Sequence, residues 1–187
     1  HNNIHYILGN HELYFLNGVP KGVYGQFEYF GISAHVNWTS NQIEEGYMST
    51  ISSWPLEIRT QINGVNLYFV HWPLLSTEAA YPYQKVVSNP TPLQLDKMFE
   101  NVEADIIIYG HNHRASSLTS SGKLYVNPGS AGVSKTTQVT CSIITFNENS
   151  SYDIQTFQLE YPKEDVLKGL MVKQSPGWRL LWNQYYN

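Results

Sequence analysis

Asp105-Ile106-Ile107-Ile108-Tyr109-Gly110-His111-Asn112-His113 decides the fold. Its unbroken apolar run reads as the core of a buried strand, and Gly110 lets the chain turn abruptly where that strand ends. Two histidines follow, two residues apart, so a bend can address two places with them. Two other segments end alike. Ile4 to Leu8, apolar enough for a buried strand, runs into Gly9-Asn10-His11-Glu12, and a strand from Val65 to Val70 delivers the chain straight into His71. Polar, histidine-bearing turns at the carboxyl ends of several strands converge on one sheet edge, where open α/β folds place their sites.

Outward from these turns, the clearest local signal is a hairpin: Glu57 to Ile62, a turn at Asn63-Gly64, then Val65 to Val70. Gln26 to Phe30 and Ser33 to Trp38 read as two short strands around Gly31, a second hairpin. His11 to Leu16 reads as one short helical turn. Ser40 to Ser53 reads as a helix with Ile43, Tyr47 and Ile51 on one face, ended by Pro55. Pro73 to Pro92 is a long loop rich in Tyr, Ser and Pro, of a kind that often rims a site. Leu93 to Val102 has a helical period, Lys123 to Val126 is a strand before the tight turn Asn127-Pro128-Gly129-Ser130, and Val139–Phe146 and Tyr152–Tyr161 pair as strands. From Pro162 the character changes to two helical stretches, Lys163 to Lys173 and Gly177 to Tyr186. Residues 1–161 are therefore expected to form one domain, with 162–187 a helical tail packed on it. Strands mixed with helices give an α/β or α+β class.

The 187 residues carry eleven Lys and Arg against fifteen Asp and Glu, a formal charge of -4. That balance argues against gripping nucleic acid through bulk positive charge, so only a small nucleotide is expected as a nucleic-acid ligand. A single cysteine, Cys141, excludes an internal disulfide and a Cys-based zinc cage. No apolar run approaches the ~20 residues of a membrane span, and a cytoplasmic location is expected. Imidazole and amide oxygen suit a first-row divalent ion such as Mn, Fe, Ni or Zn.

Taken in order, Gly9-Asn10-His11-Glu12, a strand-end His71 after an Asn-Gly hairpin, Gly110-His111-Asn112-His113, and Asn127-Pro128-Gly129-Ser130 resemble the motifs of the calcineurin-like metallophosphoesterases. The match is closest to the small bacterial phosphodiesterase branch, and Trp54 to His71 looks like the segment before that branch's ligand histidine. The resemblance spans about residues 4 to 161. It implies a two-sheet αββα sandwich with a binuclear metal site at the strand ends, holding two divalent ions, Mn first and Fe, Ni or Zn as alternatives. It implies Asn10, His71 and His111 as ligands of one metal and His113 as a ligand of the other. His11 resembles the family's catalytic histidine, which stabilises the transition state or protonates the leaving alkoxide. Glu12 would orient the start of the short helix or hydrogen-bond nearby, and Asn127 would shape its turn or support a ligand from behind. The activity implied is hydrolysis of phosphomonoesters or phosphodiesters, with a small phosphorylated substrate and no membrane partner; self-association is left open.

Two departures from the pattern stand out. The family's Asp-X-His and Gly-Asp-X-X-Asp motifs, source of the bridging carboxylate, are absent. The four aspartates are Asp96, Asp105, Asp153 and Asp165; none follows a glycine and none has a histidine two residues later. The expectation is that the sequence is the later part of a longer protein whose N-terminal unit is missing, so that these residues alone bind metal weakly. The second departure is Trp72, where family members commonly place a glycine; its ring either narrows substrate access or packs under the Tyr81–Tyr83 loop. The competing reading is a catalytically inactive scaffold of the same fold. Such a scaffold is expected to have lost one of His11, His71, His111 and His113, and all four remain. A nuclease of the same superfamily is disfavoured by the low basic content.

Overall fold

The Asn63-Gly64 turn adopts the geometry its sequence demands, with φ of 47° and 83°, the paired left-handed positions of a tight two-residue hairpin. It joins β1 (Glu57–Ile62) to β2 (Val65–Val70), with Ile62 opposite Val65 and Glu57 opposite Val70. In the computed structural model, which describes residues 3–133 and 135–183, β3 (Ile106–Ile108) lies parallel to β2. A second hairpin, β4 (Ser116–Ser120) and β5 (Lys123–Asn127), places β5 parallel to β3. The five-stranded mixed sheet therefore runs β1-β2-β3-β5-β4. β6 (Gln138–Phe146) and β7 (Tyr152–Glu160) form a separate two-stranded sheet.

Strand residues alternate between faces, so each strand feeds two cores. On one face Tyr68, Val70, Ile107, Tyr109 and Tyr125 pack with Trp72 and with residues of two helices, α1 (Asn10–Asn17) and α4 (Pro92–Met98). On the other, Val65, Leu67, Ile106, Leu124 and Val126 meet Ile144, Phe146, Tyr152 and Ile154 of the small sheet. The result is a mixed α/β sandwich, as expected: helices, large sheet, small sheet.

Several local expectations are corrected. Gln26–Trp38 is not a hairpin but the body of α2 (Gln26–Ser40). Its aromatic and β-branched residues suggest strand, yet the Glu28 carboxylate accepts the Gly25 N–H (3.2 Å) at the N-terminus, and Ile32 and Val36 share one face. The expected helix at Ser40–Ser53 is interrupted at residues 41–44 and resumes as α3 (Glu45–Ser52). Ile4–Leu8 is not a strand: among the described residues none pairs with it, and its one backbone anchor is Leu8 N–H to Pro55 O (2.9 Å). Leu8 is buried, while Ile4 and Tyr6 are exposed and Tyr6 stacks on Trp54. The helix expected to reach Val102 ends at Met98. In the tail, α5 (Lys163–Lys173) buries none of its residues, and the turn after it meets α2 where Pro176 O sits 3.1 Å from His35 Nδ1. The last helix, α6, spans Trp178–Leu181, and helical backbone continues over residues 182–183; the rest of the expected stretch to Tyr186 lies outside the described residues. Among the described residues no helix is long and apolar enough to cross a membrane.

The β2-to-β3 crossover is fixed at α4. Thr91 caps it, taking the Gln94 N–H (3.3 Å) and returning its own N–H to Gln94 Oε1 (2.9 Å), with Pro92 in the first turn. Asp96 on α4 accepts from Ser120 Oγ (2.6 Å), Ser121 Oγ (2.8 Å) and Tyr125 Oη (2.8 Å), tying the helix to the β4–β5 hairpin. These donors hold its carboxyl below the usual carboxylate range. A group depressed in the folded state contributes stability that is complete above its unfolded pKa and lost as pH falls through the folded value. Asp96→Asn is therefore expected to lower the urea midpoint at neutral pH and to flatten its fall below about pH 4. Parallel midpoint-versus-pH curves for variant and parent would contradict this role.

Candidate metal centre

The site is built where β2 and β3 end. Gly110 N–H donates to His71 O (2.9 Å), one hydrogen bond past the strands, and so carries the parallel pairing into the two histidine-bearing turns. The exit of β2 is pinned by Trp72, which is fully buried. Its ring lies 5.9 Å from Tyr109 and 5.7 Å from His111, centroid to centroid, so Trp72 underlies the site as part of the core. The third contributor arrives through Gly9. A Cβ there would stand 2.8 Å from Glu12 Oε2 and 3.2 Å from two atoms of the His71 ring, so the space admits only glycine without rearrangement. Glu12 accepts the Gly9 N–H (2.8 Å) and Leu13 N–H bonds Gly9 O (3.1 Å), which starts α1 and makes Asn10 its first residue.

Three side-chain atoms converge as a consequence. Asn10 Oδ1 lies 2.9 Å from His71 Nε2, His71 Nε2 lies 3.0 Å from His111 Nδ1, and His111 Nδ1 lies 3.1 Å from Asn10 Oδ1. No proton arrangement turns all three contacts into hydrogen bonds. Each ring nitrogen either donates or accepts, and an amide end does one or the other, so among three mutually adjacent atoms one contact always pairs like with like. A cation facing three lone pairs removes the conflict. Ligand atoms at right angles around an ion with bonds of about 2.1 Å lie about 3 Å apart, which is the spacing found. Burial, reinforced by the neighbouring imidazoles, pushes His71 down to about 3 and His111 down to about 4. Both rings are therefore neutral at physiological pH, with lone pairs available.

The other site residues lie around this triangle. His111 and His113 both adopt left-handed backbone (φ 66° and 58°), a strain of order 1–3 kcal/mol each. Asn127 at the end of β5 holds that turn: its Nδ2 donates to Gly110 O (3.1 Å) and to Asn112 Oδ1 (2.6 Å), while its Oδ1 accepts Gly129 N–H (2.9 Å). His113 lines a cleft of about 180 Å³ walled by the neutral polar Ser130, Thr136, Gln138, Thr140 and Gln158 and by Ala115 and Val133. His11, next to Asn10, keeps part of its surface open, yet its ring lies 5.5 Å from Tyr14 and desolvation there pushes its pKa below the ordinary histidine value. Sequence reasoning missed Tyr83, whose ring stacks on His111 (6.3 Å) and whose hydroxyl donates to Leu8 O (2.7 Å), and it missed Asn112 and Tyr14. No spacing could have signalled Tyr83, which reaches the site from the middle of a long loop. Among the described residues, no group of three or more His, Cys, Asp or Glu side chains is placed to hold a metal; the converging set is two histidines and an asparagine.

The model of the calcineurin-like phosphoesterase superfamily domain matches residues 2–149. No curated protein matches the chain. Among solved structures, a hypothetical protein from Pyrococcus horikoshii OT3 superposes with a TM-score of 0.75 at 12% identity, covering 98% of this chain and 73% of its own. A metallophosphoesterase from Sphaerobacter thermophilus gives 0.60 at 18% identity, with 91% and 71% covered. At these identities the likeness bears on the fold alone.

Asn127 is 1% exposed and serves three partners, so its truncation leaves buried groups unpaired and releases a strained turn. Asn127→Ala is expected to cost about 1–3 kcal/mol, and Asn127→Asp at least as much, because a carboxylate would face two oxygen acceptors. Urea denaturation of both variants measures this; a loss confined to Asp would place the cost in charge and not in the missing bonds.

Proposed function

We propose, from the premise that this chain belongs to the calcineurin-like phosphoesterase superfamily, that it hydrolyses small phosphomonoesters or phosphodiesters with the help of divalent metal ions. The observation that carries the reading is the triangle of Asn10 Oδ1, His71 Nε2 and His111 Nδ1, three neutral lone-pair donors spaced as a cation would require them. These three would hold one ion, and His113, across the same turn, would contribute to a second. A pair of such ions, Mn²⁺ being the first expectation, supplies Lewis acidity and a nucleophilic water for in-line attack on phosphorus. Among the described residues no aspartate or glutamate joins His71 and His111 in a metal-binding group, and Glu12, two residues from Asn10, holds the Gly9 N–H.

The chain's own groups would divide the remaining work. His11 stands exposed beside the ligand Asn10, free of the triangle, and is the group we assign to proton donation to the leaving alkoxide. Trp72 and Tyr83, packed against His111, hold that ring and keep water from its inner side. The cleft beside His113 offers hydroxyl and amide groups to the substrate's alcohol portion. All four motif histidines are present, which favours an enzyme over an inactive scaffold.

The test uses the full-length protein carrying these residues, purified in excess Mn²⁺ and desalted. Metal per chain is measured by plasma mass spectrometry, and turnover on 4-nitrophenyl phosphate and its bis-ester by absorbance. His111→Ala is expected to lose bound metal and activity together. His11→Ala is expected to keep its metal and lose about a hundredfold or more in kcat. Equal loss of metal in both variants would refute the division of roles, and full activity in His111→Ala would refute the site.

A further inference from the structure

Asn10 is an unusual ligand because its amide has two ends of similar shape and opposite character, and only the oxygen can serve a cation. Something must favour the orientation in which Oδ1 faces His71 and His111. On α1, one turn beyond Asn10, stands Tyr14, 2% exposed. Asn10 Nδ2 donates to Tyr14 Oη at 3.2 Å. An amide nitrogen only donates, so the phenol oxygen must accept, and its own proton has to go elsewhere. Tyr24 supplies the outlet: its hydroxyl is in hydrogen-bond contact with that of Tyr14. With the Tyr14 proton directed to Tyr24, the oxygen left facing Asn10 is an acceptor, which matches the amide nitrogen and not the amide oxygen. Turning the amide over would require the phenol pair to reverse its proton as well. The ring of Tyr14 is itself fixed, stacked against Tyr81 at 6.1 Å and meeting Tyr24 edge-on at 6.3 Å.

We propose that Tyr14, with Tyr24 behind it, is a positioning residue for the metal centre: its hydroxyl selects the ligating orientation of the Asn10 amide. This rests on the reading that Asn10, His71 and His111 hold a divalent ion. Without the hydroxyl, the orientation that offers Oδ1 to the cation leaves Nδ2 buried against a bare ring with no partner, and binding has to bear that cost. Loss of such an outer hydrogen bond to a ligand typically weakens metal affinity by about 10- to 100-fold.

The test is a double-variant cycle on the full-length protein, with Mn²⁺ affinity read by isothermal titration calorimetry and apo-protein melting read by circular dichroism. Tyr14→Phe is expected to raise the Mn²⁺ Kd about tenfold. In an Asn10→Ala background the same substitution is expected to add less than about twofold, because the group through which it acts is gone. A purely structural tyrosine would instead weaken binding equally in both backgrounds, and that outcome overturns the proposal, as does an unchanged Kd in Tyr14→Phe alone. Should Tyr14→Phe fail to fold, Tyr24→Phe combined with Tyr81→Phe carries the test: together they remove both hydroxyls that can take the Tyr14 proton, and a higher Mn²⁺ Kd is expected, with no change counting against the proposal. The two readings fail separately. If the parent binds Mn²⁺ no better than His111→Ala, the metal site itself is refuted; if the parent binds and Tyr14→Phe binds equally well, only the positioning role is lost.

Discussion

Everything at this site hangs on one backbone hydrogen bond, Gly110 N–H to His71 O. The parallel register of β2 and β3, Phe69 against Ile108, already aligns the two strand ends, and this bond continues the ladder one step into the loops. Two histidines that are 40 residues apart in sequence thereby become neighbours with ring nitrogens 3.0 Å apart. Because strand side chains alternate faces, slipping this pairing by one residue would turn one histidine to the opposite side of the sheet and dissolve the triangle. Register is defended from both faces: Ile107 and Tyr68 are buried in one core, Ile106 and Leu67 in the other. The apolar packing that stabilises the sheet and the geometry that gathers the donors are therefore one constraint.

The same edge holds features that folding alone would disfavour. The triangle always sets one pair of like groups against each other, two histidines sit in left-handed backbone, and the buried indole N–H of Trp72 has no hydrogen-bond partner among the described residues. Strain of this kind persists where surrounding structure over-determines it. Here the enforcing groups can be named. Asn127 grips both sides of the His111 turn, Glu12 fastens Gly9 against His71, and Tyr83 bridges His111 to the Leu8 carbonyl. Donors held in place beforehand lose less freedom when an ion arrives, and desolvated imidazoles need shed no proton to receive it.

What the sequence made legible follows from how local each signal is. The Asn63-Gly64 hairpin, β3, β5 and the β6–β7 pair are encoded in turn chemistry and short apolar runs, and all appear where expected. β4 was invisible because Ser116–Ser120 is nearly all polar; it is an edge strand whose one apolar residue, Leu118, faces the core. α2 was misread because Phe27, Tyr29 and Phe30 have the composition of a strand, while the determinants of helix lie in the Glu28 cap and in a single buried residue, Val36. At the site, the motif residues could be picked out and the structure brings Asn10, His71 and His111 together. Tyr83 could not be, nor could the role of Asn112 inside its motif, since both roles arise from contacts made across the sheet edge by the folded chain.

The charge balance at the triangle bears on what it can bind next. Asn10, His71 and His111 contribute no charge, and the carboxylate closest in sequence, Glu12, is hydrogen-bonded to the Gly9 amide. A dication resting on three neutral donors keeps nearly all of its positive charge, in a setting where burial weakens screening. Such a site attracts anionic oxygen, whether from protein carboxylates or from a phosphoryl group, far more strongly than a carboxylate-rich site would. The cleft beside His113 carries no charged wall, only the hydroxyls and amides of Ser130, Thr136, Gln138, Thr140 and Gln158 with Ala115 and Val133 between them, so positive charge at this edge would come from the ion and not from the cleft.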